Sequence, residues 1–233
     1  MKTSRGDHEV LVYSPKEDRR RPLVLLLSGE GGWRRFDDLL SGFFNDAGCW
    51  VGGIDTMKYF WQAQDDRQAL ASDVRAYAGA LAKAAGRPED SPLILAGFSF
   101  GADLAPWIAG AGGFERRIAG LVMLGPDEVG SLEFRVMEIL GFSEKDHVFR
   151  VADALASSKG IPLLFLHGGK DPDSAAPLLF RCAPEPKRLL TVPRSNHHFS
   201  GHEEEMRTLL NDGLDWLLRA GASADSPGQG ESP

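Results

Sequence analysis

The run Leu23-Val24-Leu25-Leu26-Leu27 carries no polar side chain and is bounded by Pro22 and Gly29. A strand with one face in water alternates apolar and polar residues. A short, wholly apolar run has both faces covered, as in a parallel sheet packed between helices. This one segment suits a strand buried on both faces of a parallel sheet.

The rest of the chain repeats the theme. Trp50 to Ile54 is a second short strand, and Leu93-Ile94-Leu95-Ala96, Ile118 to Leu124 and Ile161 to Leu166 are further apolar runs. Leu189 to Val192 is a weaker one, and His8 to Tyr13 reads as an edge strand. Between them the spacing is helical. Phe36, Leu39, Leu40 and Phe43 share a face within Arg34 to Asp46, and Leu70, Val74, Tyr77 and Leu81 share another that ends before Gly86 and Pro88. Met206, Leu209, Leu210, Leu214 and Leu217 line a last helix. Strands alternating with helices predict an α/β fold: a mostly parallel, doubly wound sheet with helices on both faces. Sites on such sheets lie beyond the carboxyl ends of the strands, so the residues after each apolar run are the ones to inspect.

With 233 residues and no internal repeat, the chain reads as one domain over 1–220. Residues 221–233 are rich in Gly, Ser, Ala and Pro and read as a disordered tail. Alternation breaks between Leu124 and Ile161, where 125–160 is either a small cap over the pocket or a long connection with surface helices. The formal charge of −7 argues against nucleic acid as a partner, because phosphates require a basic face. No run approaches the ~20 apolar residues of a membrane span. Met1 to Val10 has no apolar core of a signal peptide, so the chain as written reads as cytoplasmic. Cys49 and Cys182 read as two buried thiols, with a disulfide open only if the fold brings them together.

Directly after Leu93 to Ala96 stands Gly97-Phe98-Ser99-Phe100-Gly101, and Ala102 to Ile108 has helical character. A G-x-S-x-G pattern alone is a weak signal. Between a buried strand and a helix it is the nucleophile elbow, a strained turn that lifts a serine hydroxyl above the sheet beside a helix N-terminus. Ser99 is the expected nucleophile.

A serine hydroxyl needs a base to take its proton, and on this scaffold the order is Ser, acid, His. His197 and His198 lie between the last weak strand and the last helix; His197 is the expected base, with His198 as alternate. After Ile161 to Leu166 come Asp171 and Asp173, of which Asp171 is the expected acid and Asp173 its alternate. His167, in the same stretch, reads as structural. The oxyanion hole is expected from the backbone N–H of Phe100 and of Glu30, the latter in Ser28-Gly29-Glu30-Gly31-Gly32-Trp33. His197, His198 and His202 fit no standard zinc spacing, so no metal and no cofactor are expected.

Four segments together, Ser28 to Trp33, Asp55-Thr56-Met57-Lys58-Tyr59-Phe60-Trp61, Gly97 to Asp103 and His197-His198-Phe199, resemble the VirJ/AcvB bacterial virulence-protein family. The similarity spans roughly Pro22 to Leu218. It implies an exported α/β hydrolase, periplasmic if the chain is a trimmed mature form, and through members linked to removing lysine from lysyl-phosphatidylglycerol it implies an aminoacyl-ester or lipid-ester substrate.

Beside that stands a reading from chemistry. Tyr59, Phe60 and Trp61 follow a strand end, so Tyr59 and Trp61 are candidates to line an acyl or cation pocket. Asp55 and Asp103 are candidates to read a substrate amine; as helix or turn caps they would have no such role. The expected activity is cleavage of a carboxylic ester by a Ser-Asp-His triad. A thioesterase or peptidase on the same scaffold, and a non-catalytic hydrolase-like binding protein, are the alternatives.

Overall fold

The computed structural model describes residues 2–111, 118–133 and 147–224. Along the chain run β1 (Lys2–Thr3), β2 (Gly6–Asp7), β3 (Leu11–Tyr13), β4 (Leu23–Leu27), α1 (Arg35–Asp46), β5 (Val51–Ile54) and α2 (Thr56–Tyr59). Next come α3 (Arg67–Ala84), β6 (Leu93–Phe98), α4 (Phe100–Ala109), β7 (Ile118–Leu124), β8 (Val129–Ser131), β9 (Val148–Arg150) and α5 (Val151–Ala156). The chain closes with β10 (Leu163–Gly168), α6 (Ala176–Cys182), β11 (Lys187–Val192) and α7 (Glu203–Ala224).

Seven strands form the central sheet in the order β11-β10-β7-β6-β4-β5-β3. All neighbours pair in parallel except β3, which runs antiparallel to β5 at one edge. This is the α/β-hydrolase fold. The apolar β4 divides as a two-faced strand must. Leu23, Leu25 and Leu27 join the core under α3 and α4, while Val24 and Leu26 join the core under α1 and α7. Leu40, Phe43 and Phe44 of α1, and Met206, Leu210, Leu214 and Leu217 of α7, fill that second layer.

Some expectations shift. The last helix continues to Ala224, so Gly221 to Ala224 are helical rather than tail, and residues 225–233 lie outside the described residues. Within 125–160, β8 and β9 form a separate antiparallel pair followed by α5, and residues 134–146 lie outside the described residues. Cys49 and Cys182 are free: Cys49 is buried, but Cys182 is exposed at the end of α6 rather than buried. Among the described residues, no helix is long and apolar enough to cross a membrane.

Candidate active site

The turn between β6 and α4 puts Ser99 at φ 51° and ψ −119°, a left-handed backbone that a non-glycine residue adopts at a cost. Its neighbours explain why the motif needs glycine. A Cβ on Gly97 would collide with the Gly101 carbonyl, and one on Gly101 would collide with the Leu27 carbonyl at the end of β4. The two glycines let helix and strand close on each other, and the serine is pushed out of the gap. Its amide is fixed by a 2.8 Å hydrogen bond to the Leu124 carbonyl.

Two loops at the same end of the sheet bring a carboxylate and an imidazole together. Asp171 leaves the end of β10, and its Oδ2 lies 2.7 Å from Nδ1 of His197, which follows β11. The aspartate side chain is fully enclosed, and its Oδ1 takes the Asp173 N–H at 3.1 Å. A carboxylate on Nδ1 fixes the ring's orientation. Ser99 and His197 line one cleft of about 540 Å³, with Gly29 to Gly32, Arg34, Phe36, Asp37, Phe98, Gly125, Asp127, Asp173 and His198.

His198 faces the same cleft, its ring edge-on to Phe36 and Phe98. Burial, reinforced by the neighbouring His197, lowers its pKa. His167 is also held below the ordinary imidazole range by burial. Asp37 sits in the first turn of α1, where its carboxylate accepts the Arg34 N–H at 2.7 Å and closes the helix end. Burial raises its pKa to about 6 against the lowering effect of that hydrogen bond.

The other expected site residues lie elsewhere. Asp55 caps α2 by accepting the Lys58 N–H at 3.2 Å, and its carboxylate pairs with the Lys58 ammonium. Tyr59 is buried and donates its hydroxyl to Asp73 at 2.6 Å. The same Asp73 accepts from the backbone and hydroxyl of Ser4, so this aromatic block fastens the N-terminal hairpin to α3. Trp61 is 58% exposed. Asp103 is buried in the first turn of α4 and accepts the Asp127 N–H at 2.8 Å. None of these four lines the cleft that holds Ser99. Of the stretch read as a possible cap, Gly125 and Asp127 line it, while residues 128–133 and 147–160 do not.

Sequence reasoning passed over Asp37, Gly125 and Asp127. The last two follow directly on β7, so the search beyond each apolar run should have reached them. Asp37 is hidden by its second identity as an ordinary helix-capping residue.

The model of the bacterial virulence protein VirJ matches residues 21–216. The chain belongs to the VirJ family. No curated relative matches it in sequence. This VirJ-family chain is similar in structure to Est1E from Butyrivibrio proteoclasticus, at 15% identity and a TM-score of 0.65, over 90% of this chain and 94% of that one. It is similar to dienelactone hydrolase from Anabaena variabilis at 18% identity and a TM-score of 0.63, over 88% and 89%. XC6422 from Xanthomonas campestris, described as an α/β serine hydrolase without a lid, is similar at 20% identity and a TM-score of 0.61, over 93% and 92%. At these identities the likeness establishes the fold.

Proposed function

We propose that this chain is a serine hydrolase that cleaves a carboxylic ester, with Ser99 as nucleophile, His197 as base and Asp171 as acid. The observation that carries the reading is the 2.7 Å Asp171–His197 pair opening onto the cleft of a serine held at φ 51°. Ser99 Oγ adds to the ester carbonyl as its proton passes to His197 Nε2. The imidazolium so formed is stabilised by Asp171, then gives the proton to the departing alkoxide. Water, deprotonated by the same imidazole, releases the acid from the acyl-serine. Phe100 is the first residue of α4, so its N–H has no acceptor within the helix, and Glu30 lines the cleft from the loop after β4. These two amides are the oxyanion donors.

The substrate reading is an aminoacyl ester, such as lysyl-phosphatidylglycerol. Its support is the cleft's charge: Glu30, Asp37, Asp127 and Asp173 line it, against Arg34. These carboxylates, rather than Asp55 or Asp103, are assigned to the substrate amine.

The experiment is a panel of p-nitrophenyl esters of increasing length, thioesters, peptides, and lysyl and alanyl esters, each with wild type and Ser99→Ala. Labelling by a fluorophosphonate accompanies it. Ester turnover and labelling, both lost in Ser99→Ala, are expected. Preference for a thioester or peptide would replace the leaving group in the proposal. Absence of both labelling and turnover would leave a binding protein on a hydrolase scaffold.

A further inference from the structure

The segment that leaves β7, Leu124-Gly125-Pro126-Asp127, reaches all three proposed triad residues without supplying one. The Leu124 carbonyl accepts the Ser99 N–H at 2.8 Å. Gly125, at φ 59°, lies so close to the imidazole that a Cβ would stand 2.9 Å from His197 Cε1 and 3.6 Å from Asp171 Oδ2. The Pro126 carbonyl accepts the Ala175 N–H at 2.7 Å, which anchors the far end of the loop that carries Asp171. The Asp127 N–H ends the segment on Oδ1 of Asp103, at 2.8 Å. Asp103 is 4% exposed and stands one helical turn past Ser99, its own N–H donated to the Ser99 carbonyl at 3.2 Å.

A single buried carboxyl thus ties the stretch that seats the imidazole to the helix that carries the nucleophile. We infer that Asp103 is a positioning residue: it fixes the Leu124–Asp127 segment and, through Gly125, the placement of His197 over Ser99. The inference rests on the triad reading above. It also accounts for an aspartate in the interior, where a lone charge is disfavoured. Burial drives the Asp103 pKa well above the ordinary carboxylate range; the Asp127 N–H opposes this and the Asp127 charge adds to it. Burial thus disfavours a charge on the side chain that accepts the Asp127 N–H. An amide oxygen can take over that task, and an alkyl group cannot.

The experiment compares Asp103→Asn, Asp103→Ala and Asp103→Leu with wild type. Reactive sites are counted by end-point titration with a fluorophosphonate, and kcat and KM for a p-nitrophenyl ester are then expressed per titrated site. Asp103→Asn is expected to stay within about threefold of wild type in kcat, while the Ala and Leu variants fall by about 10²-fold, the scale of an ångström's misplacement, with KM little changed. Asp103→Ser keeps a polar group too short to make the link and is expected to show the same loss; it serves if the apolar variants do not fold. Unchanged kcat per site in the Ala, Leu or Ser variant overturns the positioning role, since a residue needed only for folding removes sites without slowing those that remain. A fall in Asp103→Asn equal to that in Asp103→Ala overturns the claim that an uncharged oxygen acceptor suffices for the link. Wild type that takes no fluorophosphonate overturns the triad reading itself, a result distinct from both.

Discussion

Gly125 stands against His197 with no room for a side chain between them: a methyl carbon placed on it would lie 2.9 Å from Cε1 and 3.1 Å from Nδ1 of the imidazole. The position is doubly bound to glycine, because its φ of 59° is itself costly for any residue with a Cβ. Gly125→Ala is therefore expected to push the ring off its place and lower kcat by about 10²-fold. The accompanying loss of stability, about 1 kcal/mol from the backbone alone, is read by denaturant unfolding. Wild-type kcat in a folded Gly125→Ala would show that the imidazole does not depend on this contact.

Ser99 is strained in the resting protein, so its removal separates stability from catalysis. Ser99→Ala is expected to cost 10⁴–10⁶-fold in kcat, to an order of magnitude, with little change in the fold. Ser99→Gly should be equally inactive yet more stable than Ser99→Ala by about 1 kcal/mol, because glycine adopts φ 51° freely. Thermal melts of the pair decide it. A less stable glycine variant would mean that the elbow's strain is not in this torsion.

The two aspartates after β10 have different tasks. Asp171 meets the imidazole through its carboxylate, whereas Asp173 reaches Asp171 through its backbone N–H, which a side-chain change leaves in place. Asp171→Asn should lose on the order of 10⁴-fold in kcat, and Asp173→Asn no more than about tenfold. Comparable losses, measured on one ester under the same conditions, would exchange or share the role.

For the histidine pair, His197→Ala is expected to lose on the order of 10⁴-fold or more in kcat and His198→Ala about tenfold at most. His198 is packed on Phe36 and Phe98, and burial lowers its pKa, so its loss is expected to leave the acid limb of kcat/KM where it is in wild type. A displaced acid limb in His198→Ala, seen in a pH–rate profile, would assign the titrating base to the wrong ring.

Asp37 links the cleft to stability. Its pKa rises on folding from 3.8 to about 6, chiefly through burial, so the fold favours the protonated form. That contribution is fully present below pH 3.8 and is lost as pH climbs through 6, by at most about 3 kcal/mol. Asp37→Asn does not titrate. It should match wild type near pH 4 and become the more stable of the two by pH 7, since its amide oxygen can still accept the Arg34 N–H. Melting curves across this range test the sign. A gap that narrows as pH rises would refute it.

The sheet and the elbow were legible because each is written in adjacent residues. Leu23 to Leu27 is apolar throughout because both its faces are covered, and Gly97 and Gly101 flank Ser99 because carbonyls occupy the space of their missing side chains. The cleft's lining was less legible. Asp37 and Asp127 meet only through pairing of β4, β6 and β7, and each also has a local task that hides its placement. The Tyr59-Phe60-Trp61 block shows the reverse. Its composition suits a pocket, yet the hydrogen bond from Tyr59 to Asp73 turns it toward the N-terminal hairpin. Side-chain direction after a strand is a tertiary property, and aromatic content does not reveal it.

The distribution of the site along the chain has a consequence for how the protein matures. Its parts come from the ends of β4, β6, β7, β10 and β11, so the proposed nucleophile at residue 99 emerges almost 100 residues before its proposed base at residue 197. Contacts of such long sequence separation form late, after the loop entropy between them has been overcome. A nascent chain can close β4 on β6 and form its elbow before β11 is made, and under the proposed triad it gains reactivity only when β10 has received β11 along the sheet's edge. If the proposed triad acts, reaction with a fluorophosphonate reports when β11 has joined the sheet, and β11 is a place where a failure of assembly would be read as lost chemistry.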